Sequence, residues 1–191
     1  MKSTFALSLF AMKAATAVAA DCNVDGNLFQ LRAFQTLESG TRRTGQVKVT
    51  QIGDLGTDTL AHFSASSTGG PETATAVFYL NKDNERLIVL DSFSFLKASN
   101  AYTDALEGGE LKFTFYNGTS RPEPYNWPVF DISADGFLTV DGKSDVFSHC
   151  PTDPESALLT GSIAVGTPGK DGCEALDGLK IYPVTSELAV E

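Results

Sequence analysis

The sequence predicts a single all-β, antiparallel domain with at most one short helix. Three observations predict it: apolar residues alternate with polar ones, stretches with the period of a helix are scarce, and the alternating segments are short and bounded by Gly, Asp, Asn or Pro. Hydrophobic residues make up 42% and charged residues 20% of the 191 residues, which suits one hydrophobic core. A β-trefoil-like barrel and a β-sandwich both fit this pattern.

The first 20 residues have the composition of a secretory signal peptide. Lys2 precedes the apolar run Phe5–Met12, and small residues end the segment at Ala20. The run is far shorter than the roughly 20 apolar residues of a membrane-spanning helix. We therefore expect cleavage after Ala20, which leaves residues 21–191 as one secreted domain.

Alternation of apolar and polar residues defines the strands of this domain. Leu111 and Phe113, for example, alternate with Lys112 and Thr114, as on a strand that buries one face. One short helix is expected over Ser99–Gly108, with serine as its cap and glycine at its end. The predicted strands are Phe29–Ala33, Val47–Thr50, Ala76–Leu80, Arg86–Leu90, Ser92–Leu96, Leu111–Tyr116, Val129–Ile132, Phe137–Val140, Leu159–Val165 and Leu179–Val184.

Two predicted hairpins share one pattern. Phe78–Val89 and Phe130–Val140 each run aromatic, any residue, aliphatic, turn, and then Leu, any residue, Val. Their turns contain Asp83-Asn84 and Asp135-Gly136, residue types that tolerate the positive φ of tight turns. The hairpins begin 52 residues apart, a spacing compatible with a β-trefoil repeat, and this slightly favours the barrel over the sandwich.

Two polar segments, 64–75 and 118–128, are expected to be surface loops. The second contains three prolines, Glu123, Tyr125 and Trp127, the only tryptophan of the chain. Because aromatic side chains beside an acid suit the face of a sugar, Tyr125 and Trp127 are the candidate ligand contacts.

The three cysteines allow one disulfide and one free thiol. We favour a bridge between Cys150 and Cys173, since each lies beside turn-forming residues. Cys22 would then be free to pair with another chain or with a wall component. In the alternative, Cys22 takes one of the other two as its partner.

Catalytic patterns are weak. His62 and His149 are the only histidines, and no Gly-x-Ser-x-Gly motif accompanies them. A Cys–His nucleophile would require Cys150 to be free of its bridge. Glu123 could serve a glycoside hydrolase only with a second acid, which the sequence does not identify. We therefore expect no catalytic residues and a non-enzymatic protein.

No cofactor or metal is expected. The acids Asp131, Asp135, Asp141 and Asp145 lack the spacing of an EF-hand, and the Asp-Gly pairs among them predict two β-turns instead. Glycine-rich phosphate-binding loops are absent from the sequence.

The net charge of the chain limits the classes of binding partner that we expect. The formal net charge of −10 and the pI near 4.6 argue against nucleic acid and against a membrane surface. Asn117 begins the single acceptor sequence for N-glycosylation. Arg42-Arg43 could be a processing site, but an exposed turn with two charges is the preferred interpretation.

The order of these motifs resembles the small secreted fungal cell-wall proteins of the PhiA type, some of which are IgE-binding antigens. The similarity rests on Phe29-x-Leu31-x-Ala33, Phe63-Ser64-Ala65, Phe78-Tyr79-Leu80, Phe130-x-Ile132-x-x-Asp135-Gly136-x-Leu138, Phe147-x-x-Cys150-Pro151 and Cys173. It implies a non-enzymatic, wall-associated structural or developmental protein whose partner is a wall polysaccharide or wall protein. A secreted lectin-like or effector module with a glycan or host-protein ligand is the alternative, and a glycan-active hydrolase is a weaker one.

Overall fold

The computed structural model describes residues 28–51, 59–64, 76–90, 98–105, 108–114, 125–152, 161–166 and 172–184. These residues form thirteen antiparallel strands in one sheet and no helix, so the predicted all-β class is confirmed. The strands are β1 (Phe29–Thr36), β2 (Arg42–Gln51), β3 (Thr59–Ser64), β4 (Val77–Asn81), β5 (Arg86–Leu90), β6 (Ala98–Thr103), β7 (Gly109–Thr114), β8 (Phe130–Ile132), β9 (Phe137–Val140), β10 (Phe147–Pro151), β11 (Gly161–Val165), β12 (Glu174–Ala175) and β13 (Gly178–Pro183).

The thirteen strands form one sheet that is not closed into a barrel. Its strand order is β12-β10-β11-β3-β7-β6-β5-β4-β1-β13-β9-β8, and β2 pairs with both β1 and β3. Strand β4 meets β1 at a single residue pair, Phe78 with Phe29. A closed barrel needs a ladder between every pair of neighbours, so the sheet is not a barrel and the trefoil-like alternative is not formed.

Both predicted hairpins form, in matching registers. Their cross-strand pairs are Phe78–Val89 and Leu80–Leu87 in the β4–β5 hairpin, and Phe130–Val140 and Ile132–Leu138 in the β8–β9 hairpin. In the first turn the positive φ falls on Glu85 rather than on Asn84, because this loop has four residues and its last one turns left-handed. The Glu85 carbonyl then accepts a hydrogen bond from the Phe130 backbone N–H at 2.8 Å, which joins the two hairpins.

The predicted helix over Ser99–Gly108 is wrong. Residues Ala98–Thr103 form β6, which pairs with β5 on one side and with β7 on the other. A helix of two turns would have to form its costly first turn alone, whereas two neighbouring strands supply partners for the backbone of β6. Strands β3, β10 and β12 also form where none was predicted, and Ser92–Leu96 lies outside the described residues.

The core explains the abundance of phenylalanine. Five fully buried phenylalanines come from five different strands: Phe29, Phe78, Phe113, Phe130 and Phe147. The Phe78 ring lies 6.3 Å from that of Phe29 and 5.9 Å from that of Phe113. Around them pack Leu31, Leu87, Leu111, Leu138, Ile163 and Leu179, all fully buried. The buried hydrophobic residues therefore form one continuous core.

Candidate functional site

The segment Tyr125–Trp127 lies alongside β6, where the neighbouring strand ends. The ladder between β5 and β6 stops at the pair Ile88–Asn100. Beyond it, Asn126 and Thr103 exchange two backbone hydrogen bonds of 2.9 Å each. Side chains alternate along an extended chain, so Tyr125 and Trp127 project to the same side of this bridge.

Three aromatic rings meet there, and we call Tyr102, Tyr125 and Trp127 the aromatic cluster. The Tyr125 and Trp127 rings are stacked, with centroids 5.9 Å apart and planes at 25°. Tyr102 of β6 meets the edge of Tyr125 at 4.4 Å and lies 6.2 Å from Trp127. Tyr102 is 5% exposed, whereas the other two side chains are half-buried. Tyr102 is thus the buried ring of the cluster, and Tyr125 and Trp127 are its accessible rings.

Arg86, the first residue of β5, covers part of the Trp127 ring. Its guanidinium carbon lies 4.3 Å from the centre of the Trp127 ring, a cation–π contact worth about 0.5–1 kcal/mol. The Trp127 indole N–H is buried without an acceptor. A ligand would therefore meet ring carbons rather than the indole nitrogen, and stacking on the covered face requires displacement of the guanidinium.

An ion-pair network borders the cluster, because Lys112 lies directly opposite Tyr102 across β6 and β7. The Lys112 ammonium lies 2.7 Å from Asp104 and 3.5 Å from Glu110, and Ser162 donates a hydrogen bond to Glu110 at 2.9 Å. Beside the aromatic cluster, the charge of Lys112 therefore partly neutralises the charges of Asp104 and Glu110.

The pKa values in this network favour the charged forms. Burial alone raises the pKa of Asp104, but the hydrogen bond and charge of Lys112, with the backbone N–H of Glu110, outweigh it and lower the pKa below its usual value. For Lys112, burial lowers the pKa, but Asp104 and then Glu110 outweigh it, so the pKa is raised. A general acid needs the opposite shift, a carboxyl whose pKa is raised. The network is therefore suited to holding polar groups in place rather than to proton transfer.

The predicted disulfide is present. Cys150 of β10 is bonded to Cys173, 23 positions later and just before β12, with Cα atoms 4.1 Å apart. With Cys150 oxidised, the Cys–His nucleophile considered above is not available. His149 is only 2% exposed, and its Nδ1 lies 3.9 Å from a Glu174 carboxylate oxygen that also accepts a 2.7 Å hydrogen bond from Gln35. Gln35, His149 and Glu174 thus lie close together beside the disulfide at this edge of the sheet.

The pairs Asp135-Gly136 and Asp141-Gly142 lie in turns, as predicted, whereas Asp131 lies in β8. Asp131, Asp135, Asp141 and Asp145 are all exposed. Val140 and Lys143 exchange two backbone hydrogen bonds around Asp141 and Gly142, whose φ values of 50° and 78° give a type I′ turn. Among the residues that the structure describes, no group of three His, Cys, Asp or Glu side chains could hold a metal ion.

Several predicted features lie outside the described residues: the signal peptide (1–20), Cys22, Asn117 and Glu123. The hydrolase hypothesis and the glycosylation site therefore stay predictions. Arg42 and Arg43 begin β2, opposite Thr36 and Gln35, so they lie in a paired strand rather than in a turn.

Reasoning from the sequence missed the surroundings of Tyr125 and Trp127. Tyr102 was assigned to a helix, and Arg86 and Lys112 appeared only as members of strands. The period-two pattern of β7 could have placed Lys112 on its outer face, but only the register of β6 against β7 brings it opposite Tyr102.

Comparison of the chain with protein-family models, with curated proteins and with solved structures found no match. Within the described residues, no helix has the length and apolar character needed to cross a membrane.

Proposed function

We propose that this chain is a secreted, non-enzymatic, cell-wall-associated protein that contacts wall polysaccharide through the aromatic cluster. The observation that carries the proposal is the stacked Tyr125–Trp127 pair, fixed beside β6 by the backbone bridge at Asn126. Rings held in place before binding lose little conformational entropy when a ligand docks. Half-buried aromatic residues also supply a large apolar contact area with few rotatable bonds.

Three further observations support this proposal. The Cys150–Cys173 disulfide suits an oxidising extracellular compartment, in which such bonds persist. Asp104 and Glu110, the carboxylates bordering the cluster, are both engaged by Lys112, which favours a binding role over hydrolysis. The resemblance to PhiA-type wall proteins points in the same direction.

The test is a binding measurement with the purified, glycosylated, mature protein. It is incubated with isolated fungal walls, chitin and β-glucan, and the bound fraction is measured with and without reductant. We expect saturable binding to at least one polymer. Absence of binding to all three would refute the wall proposal and would favour a soluble effector with a protein target.

Three variants test whether the aromatic cluster is the site that contacts the polysaccharide. Trp127→Ala should weaken binding by about thirtyfold, the effect of removing a tryptophan at the centre of an interface. Tyr125→Ala should weaken it as well, while Ile132→Ala, which removes an exposed apolar side chain from β8, should not. Thermal unfolding of each variant checks that the domain is intact. Equal binding by Trp127→Ala and Ile132→Ala would exclude the aromatic cluster as the site.

A further inference from the structure

We propose that the outer face of strands β2, β1, β13 and β9 binds an acidic polysaccharide, a polymer that contains uronate sugars. This surface is separate from the aromatic cluster and does not depend on the function proposed above. We call it the cationic face and define it by Arg32, Arg42 and Lys180 together with the rings of Phe34, Tyr182 and Phe137.

The register of four strands places these residues on one side of the sheet. Arg32 of β1 lies opposite Lys180 of β13, and Lys180 lies opposite Phe137 of β9. Directly opposite residues of antiparallel strands share a face. On β1 the neighbours Leu31 and Ala33 are fully buried, so Arg32 projects away from the core. Every residue that defines the cationic face is at least partly exposed.

Each cation lies over an aromatic ring. The distances from the charged group to the ring centre are 4.7 Å for Arg32 over Tyr182, 4.7 Å for Arg42 over Phe34 and 5.5 Å for Lys180 over Phe137. Long cationic side chains in solution sample many rotamers, and a flat ring beneath them restricts that freedom. The three charges are therefore held in position before a ligand arrives, which reduces the entropic cost of binding.

Among the residues that the structure describes, no acid forms an ion pair with the three cations of this face. The chain has 24 acidic residues against 14 basic ones, yet within the described residues no carboxylate lies within 4 Å of Arg32, Arg42 or Lys180. Asp177 borders the face, where it accepts a hydrogen bond from Thr36. Two like charges directly opposite each other, as in Arg32 and Lys180, destabilise a sheet. An anionic ligand would remove that repulsion.

The spacing of the charges favours a polysaccharide over a nucleic acid. Arg32 and Lys180 are cross-strand neighbours, with Cβ atoms roughly 5 Å apart. Arg42 lies opposite Thr36, four residues further along β1, which corresponds to about 13 Å. Duplex DNA carries a charge every ~1.7 Å and would be repelled by the net charge of −10. A uronate polymer has a lower charge density, and its hydroxyl groups suit the polar side chains of Gln30 and Gln46, which lie on the same face and are hydrogen-bonded to each other.

The test uses polygalacturonate as the probe and its methyl ester as the uncharged counterpart. Affinity electrophoresis or calorimetry at low ionic strength measures binding to the full mature protein. We expect binding to polygalacturonate that weakens as salt is added, and none to the methyl ester. The variant Arg32→Gln/Lys180→Gln should bind about tenfold more weakly, since each lost contact with an exposed cation is worth a few-fold.

A matched control separates this surface from overall charge. Lys82→Gln/Lys143→Gln removes the same number of charges from two exposed turns and should bind like the unmodified protein. Arg42→Gln, which replaces an exposed cation that lies over the Phe34 ring, should weaken binding by a few-fold, and it tests the proposal if the double variant is unstable. Equal loss in both double variants, absence of binding to polygalacturonate, or tighter binding to duplex DNA or to anionic vesicles would each overturn the proposal. Unchanged chitin or β-glucan binding by Arg32→Gln/Lys180→Gln would show that the two surfaces are independent.

Discussion

Replacement of Cys150 and Cys173 by serine should lower the free energy of unfolding by about 3 kcal/mol. The bridge joins residues 23 positions apart, and in the chain-entropy model a loop of this length restricts the unfolded chain by roughly that amount. The loop contains β11, which pairs with β10, β3 and β7 and keeps its place in the folded state without the bridge. Most of the effect should therefore lie in the unfolded state. For a domain of this size, the midpoint of thermal unfolding should fall by roughly 6–12 °C.

The assay is thermal and urea unfolding of the mature protein with and without reductant. Reductant should lower the midpoint of the unmodified protein and leave the Cys150→Ser/Cys173→Ser variant unchanged. Cys22→Ser, which removes a thiol but not the bridge, should unfold like the unmodified protein. The reasoning is refuted if reductant has no effect on the unmodified protein, or if Cys22→Ser is as unstable as the double variant.

Four other substitutions test the fold. Asp104→Asn should cost about 0.5 kcal/mol at neutral pH. Folding lowers the pKa of Asp104 from 3.8, so the stabilisation that its carboxylate provides is complete above pH 3.8 and is lost as the pH falls through the folded-state pKa. In urea unfolding, the difference in stability between Asp104→Asn and the unmodified protein should therefore be smaller in acid than at neutral pH. Phe78→Ala should lower the free energy of unfolding by about 4 kcal/mol in the same assay, since Phe78 is fully buried between two rings. Gly161→Ala should prevent folding, seen as loss of the circular dichroism of the sheet, because its Cβ would overlap the Cys150 carbonyl. Gly142→Ala has no such neighbour and should cost only about 1–2 kcal/mol for its positive φ.

The total charge of the chain did not predict how charge is distributed over its described surface. The net charge of −10 led us to expect no nucleic acid or membrane partner. The strand register nevertheless gathers Arg32, Arg42 and Lys180 on one face, and total charge carries no information about such local clustering. A net negative charge is therefore compatible with a local cluster of cations.

Local sequence determined the class of the fold and much of its detail. The alternation in Phe29–Ala33 predicts a strand with one buried face, and the structure extends this strand to Thr36 and buries every second residue in it. Both hairpins follow from their turn residues. In each case the deciding interaction lies within a few residues of the chain, so the pattern is visible without the fold.

Tertiary structure decided the rest, because it depends on which distant segments pair. Residues 98–103 become a strand since β5 and β7 flank them, although their spacing also suits a helical turn. The aromatic cluster unites Tyr102 with Tyr125 and Trp127 through one bridge between residues 23 positions apart. The single pair between β1 and β4 leaves the sheet open rather than closed into a barrel. The free energy of such contacts comes from backbone groups and side chains far apart in sequence, and no local pattern specifies their register.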